Sequence, residues 1–474
     1  MNVDAFIARP APAVAMPEAG RKQANTWPAP LKDAAYHGVL GEIVTALAPQ
    51  TEADPAAMLV QMLAMFGNAV GRTPHFRVGA DVHHLNLFVA IVGTTAKGRK
   101  GLSKGQAQQV CGCLDPDWLR DCVTGGLSSG EGLIWAVRDP ITKQHPIKHK
   151  GRVTGYQTVQ EDPGIGDKRL LVIETELAST LKVMTRDGNT LSAVARQAWD
   201  GQDLRTLTKT SAARATGPHI SIIGHITADE LRRYLEATET ANGFGNRFLW
   251  TLAKRSRFLP HGGAAVQLEE KVRLLTKAVD VARRTTELRR TADANTFWEE
   301  IYEPLSTGRP GMLGALTARA EAQVMRLACL YALVDASSVV AVAHLQAALE
   351  LWRYCFDSVG YLFGDRVGDP VADAILHQLR QAWPGSLSKT EISHGFGRNK
   401  PATDIDRALA LLQSYRLAIA EKDRSGDGRP TERWCYLGHE LNEINERSPD
   451  GPPVDSSNSS LSYPEAARGV APRG

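Results

Sequence analysis

The sequence predicts an α/β fold, followed by a helical segment and a small C-terminal module. Three near-continuous apolar runs carry the first part: HLNLFVAIVG ending at Gly93, RLLVIETE over 169–176 and HISIIGHI over 219–226. Runs rich in β-branched residues and apolar at nearly every position suit strands buried on both faces of a parallel sheet. Helical stretches separate them, and alternating strand and helix is the signature of an α/β sheet. The helical spacing over 266–290, 293–306, 311–334 and 340–363 predicts the second part. Three helices and a hairpin between about 368 and 440 have the order of a winged helix and predict the third.

Taken in order, residues 1–30 are rich in Ala and Pro without periodicity, and they are expected to be a disordered tail. An α/β core is expected over 31–260. Asp54-Pro55 is an N-cap and first-turn pair, and it starts AAMLVQMLAMFGNAVG, an all-round apolar helix expected to be buried. HFRVGA reads as a strand. A helical segment follows over 261–366. In the module over 367–440, VADAILHQLRQAW, SKTEISHGF and ATDIDRALALLQSYR read as helices. LAIAEK and RWCYL read as strands about the turn DRSGDGRPTE. Residues 441–474 are expected to be a second disordered tail.

Composition excludes a wholly disordered chain: 43% of the 474 residues are hydrophobic and 23% charged. With 55 Lys+Arg against 52 Asp+Glu, the charge is too near neutral to indicate a polyanion partner, so any basic surface must be local. No apolar run reaches the ~18 residues of a spanning helix, and the N-terminus lacks the pattern of a signal peptide. The six cysteines form no paired CxxC pattern, so reduced thiols in a cytoplasmic protein are expected.

The strongest chemical signal is the loop after the first run, Gly93-Thr94-Thr95-Ala96-Lys97-Gly98-Arg99-Lys100-Gly101-Leu102-Ser103. Gly93 and Gly98 have the spacing of the two glycines of a phosphate-binding loop. Lysine normally stands directly after the second glycine. Here Arg99 does, with Lys100 one place on and Gly101 where a Mg²⁺-binding hydroxyl belongs; Ser103 is the nearest hydroxyl. Such a loop needs glycines so that backbone N–H groups converge on oxygens, and a lysine for the terminal phosphates. The alternative is a glycine-rich surface loop.

Four further motifs follow. The run 170–173 ends in Glu174, Thr175 and Glu176, and a strand-end carboxylate beside a phosphate loop can hold Mg²⁺ or orient water. GGLSSGEGL (125–133) presents Glu131 as a carboxylate over the phosphates, or as an acid on a helix dipole. His225 ends the third run and is a candidate γ-phosphate sensor. The turn NGFGNRF (242–248) presents Arg247, which can act as an arginine finger in a neighbouring subunit or pair with a carboxylate of its own chain.

On GTTAKGRKGLS, GGLSSGEGLI, LLVIETELASTLKVMTRDGNTLS, RQAWDG, IIGHITADEL and NGFGNRFLW, the sequence resembles a known family. These are largely uncharacterised P-loop ATPases found with primase-polymerase domains on bacterial phages, plasmids and integrative elements. A RecA-like helicase core is inferred for them. The resemblance spans about residues 85–255. It implies a RecA-like P-loop NTPase core that takes ATP and Mg²⁺. Lys100 would be the phosphate lysine, with Gly93, Thr94, Thr95, Gly98, Arg99, Gly101 and Ser103 in the loop. Ser103 and Glu174 would hold Mg²⁺, with Glu176 as an alternate acid. Glu131 would be the catalytic glutamate, His225 the sensor and Arg247 the finger. The expected activity is that of a DNA helicase or helicase loader in replication of a mobile element. It would work as a homo-oligomer, up to a hexamer, on single-stranded DNA, with any primase a separate protein and without a membrane. The alternative is a DNA-binding initiator or regulator that binds ATP without useful turnover. A small-molecule phosphotransferase ranks last.

Two regions are candidates for nucleic-acid contact. ITKQHPIKHKGRVTGYQ (141–157) is a basic insertion, expected as a loop. Residues 389–433 of the C-terminal module carry nine Lys/Arg and seven Asp/Glu, a weak excess that leaves a protein-facing role open.

Overall fold

The computed structural model describes residues 26–93, 98–206, 213–235, 239–240, 242–364, 366–423 and 431–437. Its centre is a five-stranded sheet whose strands all run parallel. These are β3 (Phe88–Gly93), β4 (Val123–Thr124), β7 (Arg169–Glu174), β10 (His219–Thr227) and β11 (Phe248–Ala253). Their order across the sheet is β11-β3-β10-β7-β4. The three expected runs form the central strands. The Val123–Thr124 edge is too short to leave a sequence pattern, and Phe248–Ala253 lies within a region not expected to be strand. Smaller ladders pair β1 (His75–Val78) with β2 (Asp81–His84), and β8 (Leu204–Arg205) with β9 (Arg214–Ala215).

The sheet is covered on both faces, which is why its strands are apolar throughout. Val89, Ile91, Leu171, Ile223 and Leu249 join one buried cluster; Phe88, Ala90, Val92, Val172, Ile222 and Trp250 join the other. The first cluster is built on α1 (Gly38–Leu47) and α2 (Pro55–Val70). Asp54 caps α2 by accepting from Ala56 N–H at 3.0 Å, Pro55 opens it, and Gly71 at φ +96° ends it. Every residue of α2 after Pro55 is buried.

Between the strands lie α3 (Lys100–Cys111), α4 (Pro116–Asp121), α5 (Gly130–Ala136), α6 (Leu177–Met184), α7 (Leu191–Trp199) and α8 (Ala228–Tyr234). The basic insertion is not a loop. It is a long antiparallel hairpin of β5 (Ile141–His149) and β6 (Arg152–Asp162).

The helical segment comprises α9 (Glu269–Arg284), α10 (Ala292–Ser306), α11 (Gly311–Thr317), α12 (Ala320–Val334) and α13 (Val342–Phe363), with the ladder of β12 (Arg289–Arg290) and β13 (Val339–Val340). Most of its buried residues from Leu275 to Cys355 share a cluster with α1, α2 and the sheet, while Met312 and Leu316 of α11 join the cluster on the other face. The segment therefore packs against the sheet as a further layer.

The C-terminal module has its own core, including Ile375, Leu379, Ile392, Leu409 and Trp434. It runs α14 (Pro370–Ala382), β14 (Ser386–Ser388), α15 (Lys389–Gly395), α16 (Ala402–Ser414), β15 (Ala418–Asp423) and β16 (Thr431–Tyr436). The strands form an antiparallel sheet in the order β14-β16-β15. The short β14 is additional to the expected hairpin. Both expected tails fall outside the described residues except at 26–30, where Trp27 packs edge-on against Tyr361. Among the described residues no helix is long and apolar enough to cross a membrane.

Candidate functional site

In an open parallel sheet, ligands bind beyond the carboxyl ends of strands where the strand order reverses. That point here is the end of β3. Chain leaving β3 crosses to the far edge strand β4 and returns by β7 and β10, and β11 then adds on the opposite side of β3. In register, Gly93 of β3 pairs with Thr227 of β10 and with Ala253 of β11. A cavity of about 1390 Å³ lies at this edge. Its polar wall includes Arg99, Lys100, Gly101, Thr175, Glu176, His225, Thr227 and Glu230. Its apolar wall includes Leu47, Leu259, Val266, Leu268 and Val272.

Thr94 and Thr95 lie outside the described residues. Gly98 is buried, and a Cβ there would sit 3.4 Å from the Ala253 carbonyl oxygen. Arg99 adopts the left-handed conformation at φ +56°, which costs about 1–2 kcal/mol for a residue with a Cβ. Its Nε pairs with Glu52 Oε2 at 2.7 Å. The Leu259 N–H, helped by Arg255 and Arg99, holds the Glu52 carboxyl below the usual range. The Arg99 carbonyl accepts from Leu102 and Ser103 N–H, so α3 begins at Lys100. Lys100 therefore stands at the positive end of a twelve-residue helix, on the cavity wall. Burial lowers its pKa, against the opposing pull of Glu230. Glu230 is held by the capping box of α8, where Thr227 N–H and Oγ1 both donate to it.

Ser103 is 1% exposed and is not among the cavity-lining residues. Its hydroxyl donates to the Lys100 carbonyl at 2.7 Å and accepts from Gln61 Nε2 at 2.9 Å. Gln61 Nε2 also donates to Ala57 O, so its Oε1 is the acceptor facing His225 Nε2 at 3.0 Å. Burial, with the nearby charges of Lys100 and Lys104, pushes the His225 pKa down to about 4. The ring is neutral at pH 7 and donates from Nε2. Ser103 thus sits in a buried relay rather than facing a metal in the cavity. Gln61 was not legible as a site residue, although a lone amide in an apolar helix is a signal, because buried polar groups need partners.

Glu174 is corrected in the same way. Its Oε1 accepts from the N–H groups of Gly126 and Leu127, both at 2.6 Å, and it is not among the cavity-lining residues. The glycine pair serves this contact, since a Cβ on Gly125 would lie 2.8 Å from the Ile173 carbonyl oxygen and Gly126 has φ +90°. Glu176, two residues on, does line the cavity. Glu131 Oε1 accepts from Thr190 Oγ1 at 2.9 Å and braces α5 against α7, away from the cavity walls.

Arg247 precedes β11, at the opposite end of the sheet from Gly93. It is 5% exposed, donates to Asp200 Oδ2 and to the Gly243 carbonyl, each at 2.6 Å, and lies over the Trp199 ring. It is a buried ion-pair residue of its own chain, not a presented finger.

Among the described residues one group could by distance hold a metal: His37, Asp335 and His344. The His344 Nδ1 accepts from the Ala341 N–H at 2.9 Å, so its Nε2 carries the proton that faces Asp335 at 3.2 Å. A metal on Nε2 would require a proton on Nδ1, where that N–H already points. The trio is a hydrogen-bonded clamp that joins the start of α1 to the end of α12 and the first turn of α13. A scan against protein-family models finds no match for this chain, and neither does a search of curated proteins.

Proposed function

We propose that the cavity at the end of β3 binds ATP with Mg²⁺, and that the chain is a P-loop ATPase of RecA-like type acting on DNA in replication of a mobile element, as a helicase or helicase-like protein. The observation that carries this reading is Lys100, at the N-terminus of α3 and on the wall of the cavity at the switch point of the sheet. Triphosphate oxygens would accept from the first-turn N–H groups of α3 and from the Lys100 ammonium. Glu176 and Glu230 supply carboxylates on the same cavity for Mg²⁺ and for the attacking water. His225 supplies a neutral ring tied through Gln61 and Ser103 to the first turn of α3, which suits a sensor. The apolar wall from Leu47 to Val272 suits the base.

One observation favours the second reading, an initiator or regulator that binds ATP without useful turnover. Ser103 and Glu174, the expected Mg²⁺ ligands, are both engaged elsewhere. We read the C-terminal module as a winged helix from its element order and sheet. Its Lys389 pairs with Asp406 and Glu432, and its Arg407 with Asp369, which supports a protein-facing role.

The test is fluorescent-ATP binding and phosphate release, each with and without single-stranded DNA. Lys100→Ala should abolish binding while the far-UV spectrum is kept, and Arg99→Ala should retain most of it. Unchanged affinity in folded Lys100→Ala protein sinks the assignment. Binding without release in the wild type selects the second reading.

A further inference from the structure

The β5–β6 hairpin has no place in the cavity or in the cores. Among the described residues its strands pair only with each other, as a two-stranded sheet. At ~3.3 Å per residue they reach about 30 Å. Every residue from 142 to 154 is exposed. Its root is fixed: Arg138 binds Asp162 through Nε at 3.0 Å and Nη2 at 2.9 Å, and Asp162 accepts from Gly164 N–H. Glu161, near the root, pairs with Lys143 and His145.

Beyond the root the arm has one sign of charge. Residues 140–160 contain four Lys/Arg and no carboxylate. Lys148, Lys150 and Arg152 cluster at the turn and have no salt bridge among the described residues. The register places Pro146 opposite Tyr156 and Lys148 opposite Val153, so these four share one face. On that face Tyr156 is 67% exposed and Val153 49%. A bare two-stranded hairpin is marginal in water, and exposed aromatic and apolar groups on it reduce its solubility. Cations beside an exposed ring are the combination that binds unpaired bases: phosphates meet Lys and Arg, and base faces stack on the aromatic. In a duplex those base faces are covered, so an exposed tyrosine is of little use there.

We propose that this hairpin is an arm that binds single-stranded nucleic acid, with Tyr156 as the stacking platform and Lys148, Lys150 and Arg152 on the phosphates. The inference rests on the reading that the chain acts on DNA, and is independent of the ATP site.

The test uses the full chain and a fluorescein-labelled 20-mer of oligothymidine, followed by anisotropy across a range of salt without nucleotide. Fluorescent-ATP affinity is measured in parallel on each variant, so failure of the ATP site is seen separately. Replacing Lys148, Lys150 and Arg152 together by Gln should reduce the log–log salt slope by about 2, since each phosphate contact on a single strand contributes ~0.7. Tyr156→Ala should weaken binding about tenfold or more with little change of slope, and Tyr156→Phe should restore it. An oligonucleotide duplex of the same length should bind less tightly. All these side chains are exposed, so folding should be unaffected. The proposal is overturned if oligothymidine does not bind, or if slope and affinity are unchanged in both variants. Tighter duplex binding overturns it too, as does anionic-vesicle binding that depends on these residues without oligothymidine binding.

Discussion

The His225 ring and the Gln61 side chain meet at 3.0 Å, although 164 positions separate them in the chain. Through this contact the end of β10 is joined to Ser103 and to the first turn of α3. Removing the amide would leave both Ser103 and His225 short of a partner.

Gln61→Ala should therefore destabilise the chain by about 2 kcal/mol or more, since each unmet buried polar group costs ~1–3 kcal/mol. It should weaken ATP binding as well, though Gln61 is not among the cavity-lining residues. Urea unfolding and nucleotide titration give the two readouts. Unchanged values in both would reduce the relay to a packing detail.

The buried histidines set an acid limit. Burial pushes His225 and His84 down to about 4 and His219 to about 3. Between these values and ~6.5 the unfolded chain binds protons that the folded chain does not, so stability falls as pH falls through that window. For His225 alone the loss is about 3 kcal/mol. His37, raised by Asp335, works the other way, and its contribution fades as pH rises through its elevated pKa. Urea midpoints should drop from pH 7 to pH 5, and less so in His225→Asn. A flat profile would contradict the burial assigned to these rings.

Two carboxylates two residues apart should behave differently. Glu174→Ala should lower stability by about 2–3 kcal/mol, because the Gly126 and Leu127 N–H groups lose a charged acceptor. Glu176→Gln should leave the melting temperature within a degree or so and suppress phosphate release. The reverse assignment of effects would restore Glu174 as the expected Mg²⁺ ligand.

Arg247→Ala should unfold more easily at every protein concentration. It leaves Asp200 without its close partner in a cluster that also holds Arg319 and Arg326 against Trp199. With Arg247 buried and Asp200 partly exposed, losing this charged pair should cost about 2–3 kcal/mol. Mixing Arg247→Ala with Lys100→Ala subunits should rescue no activity. Rescue in the mixture would show that Arg247 reaches a neighbour after all.

A fragment of residues 366–440 should fold alone, because its buried side chains form a cluster distinct from the two around the parallel sheet. Cooperative thermal unfolding of the fragment is the check; a sloping, non-cooperative transition would show that the module needs the core.

Local chemistry determined much of this protein directly. A strand buried on both faces must be apolar at every position, so β3, β7 and β10 were legible, as were α2 with its Asp54-Pro55 start and the three helices of the C-terminal module. The placing of Lys100 between a buried strand and a helix was legible too, because glycine spacing and strand context act over a dozen residues. What each polar group does was decided only by tertiary structure, since a hydrogen bond depends on which distant group arrives opposite it. Glu174 and Glu176 are alike in sequence, yet the loop at Gly126 returns to the first and the cavity opens beside the second. Arg247 reads equally as a finger or a brace until Asp200, 47 positions away, is brought to 2.6 Å. Alternation across the two faces of β5 and β6 is weak because both faces meet water, so the sequence read as a loop, and only the pairing of Pro146 with Tyr156 made it an arm.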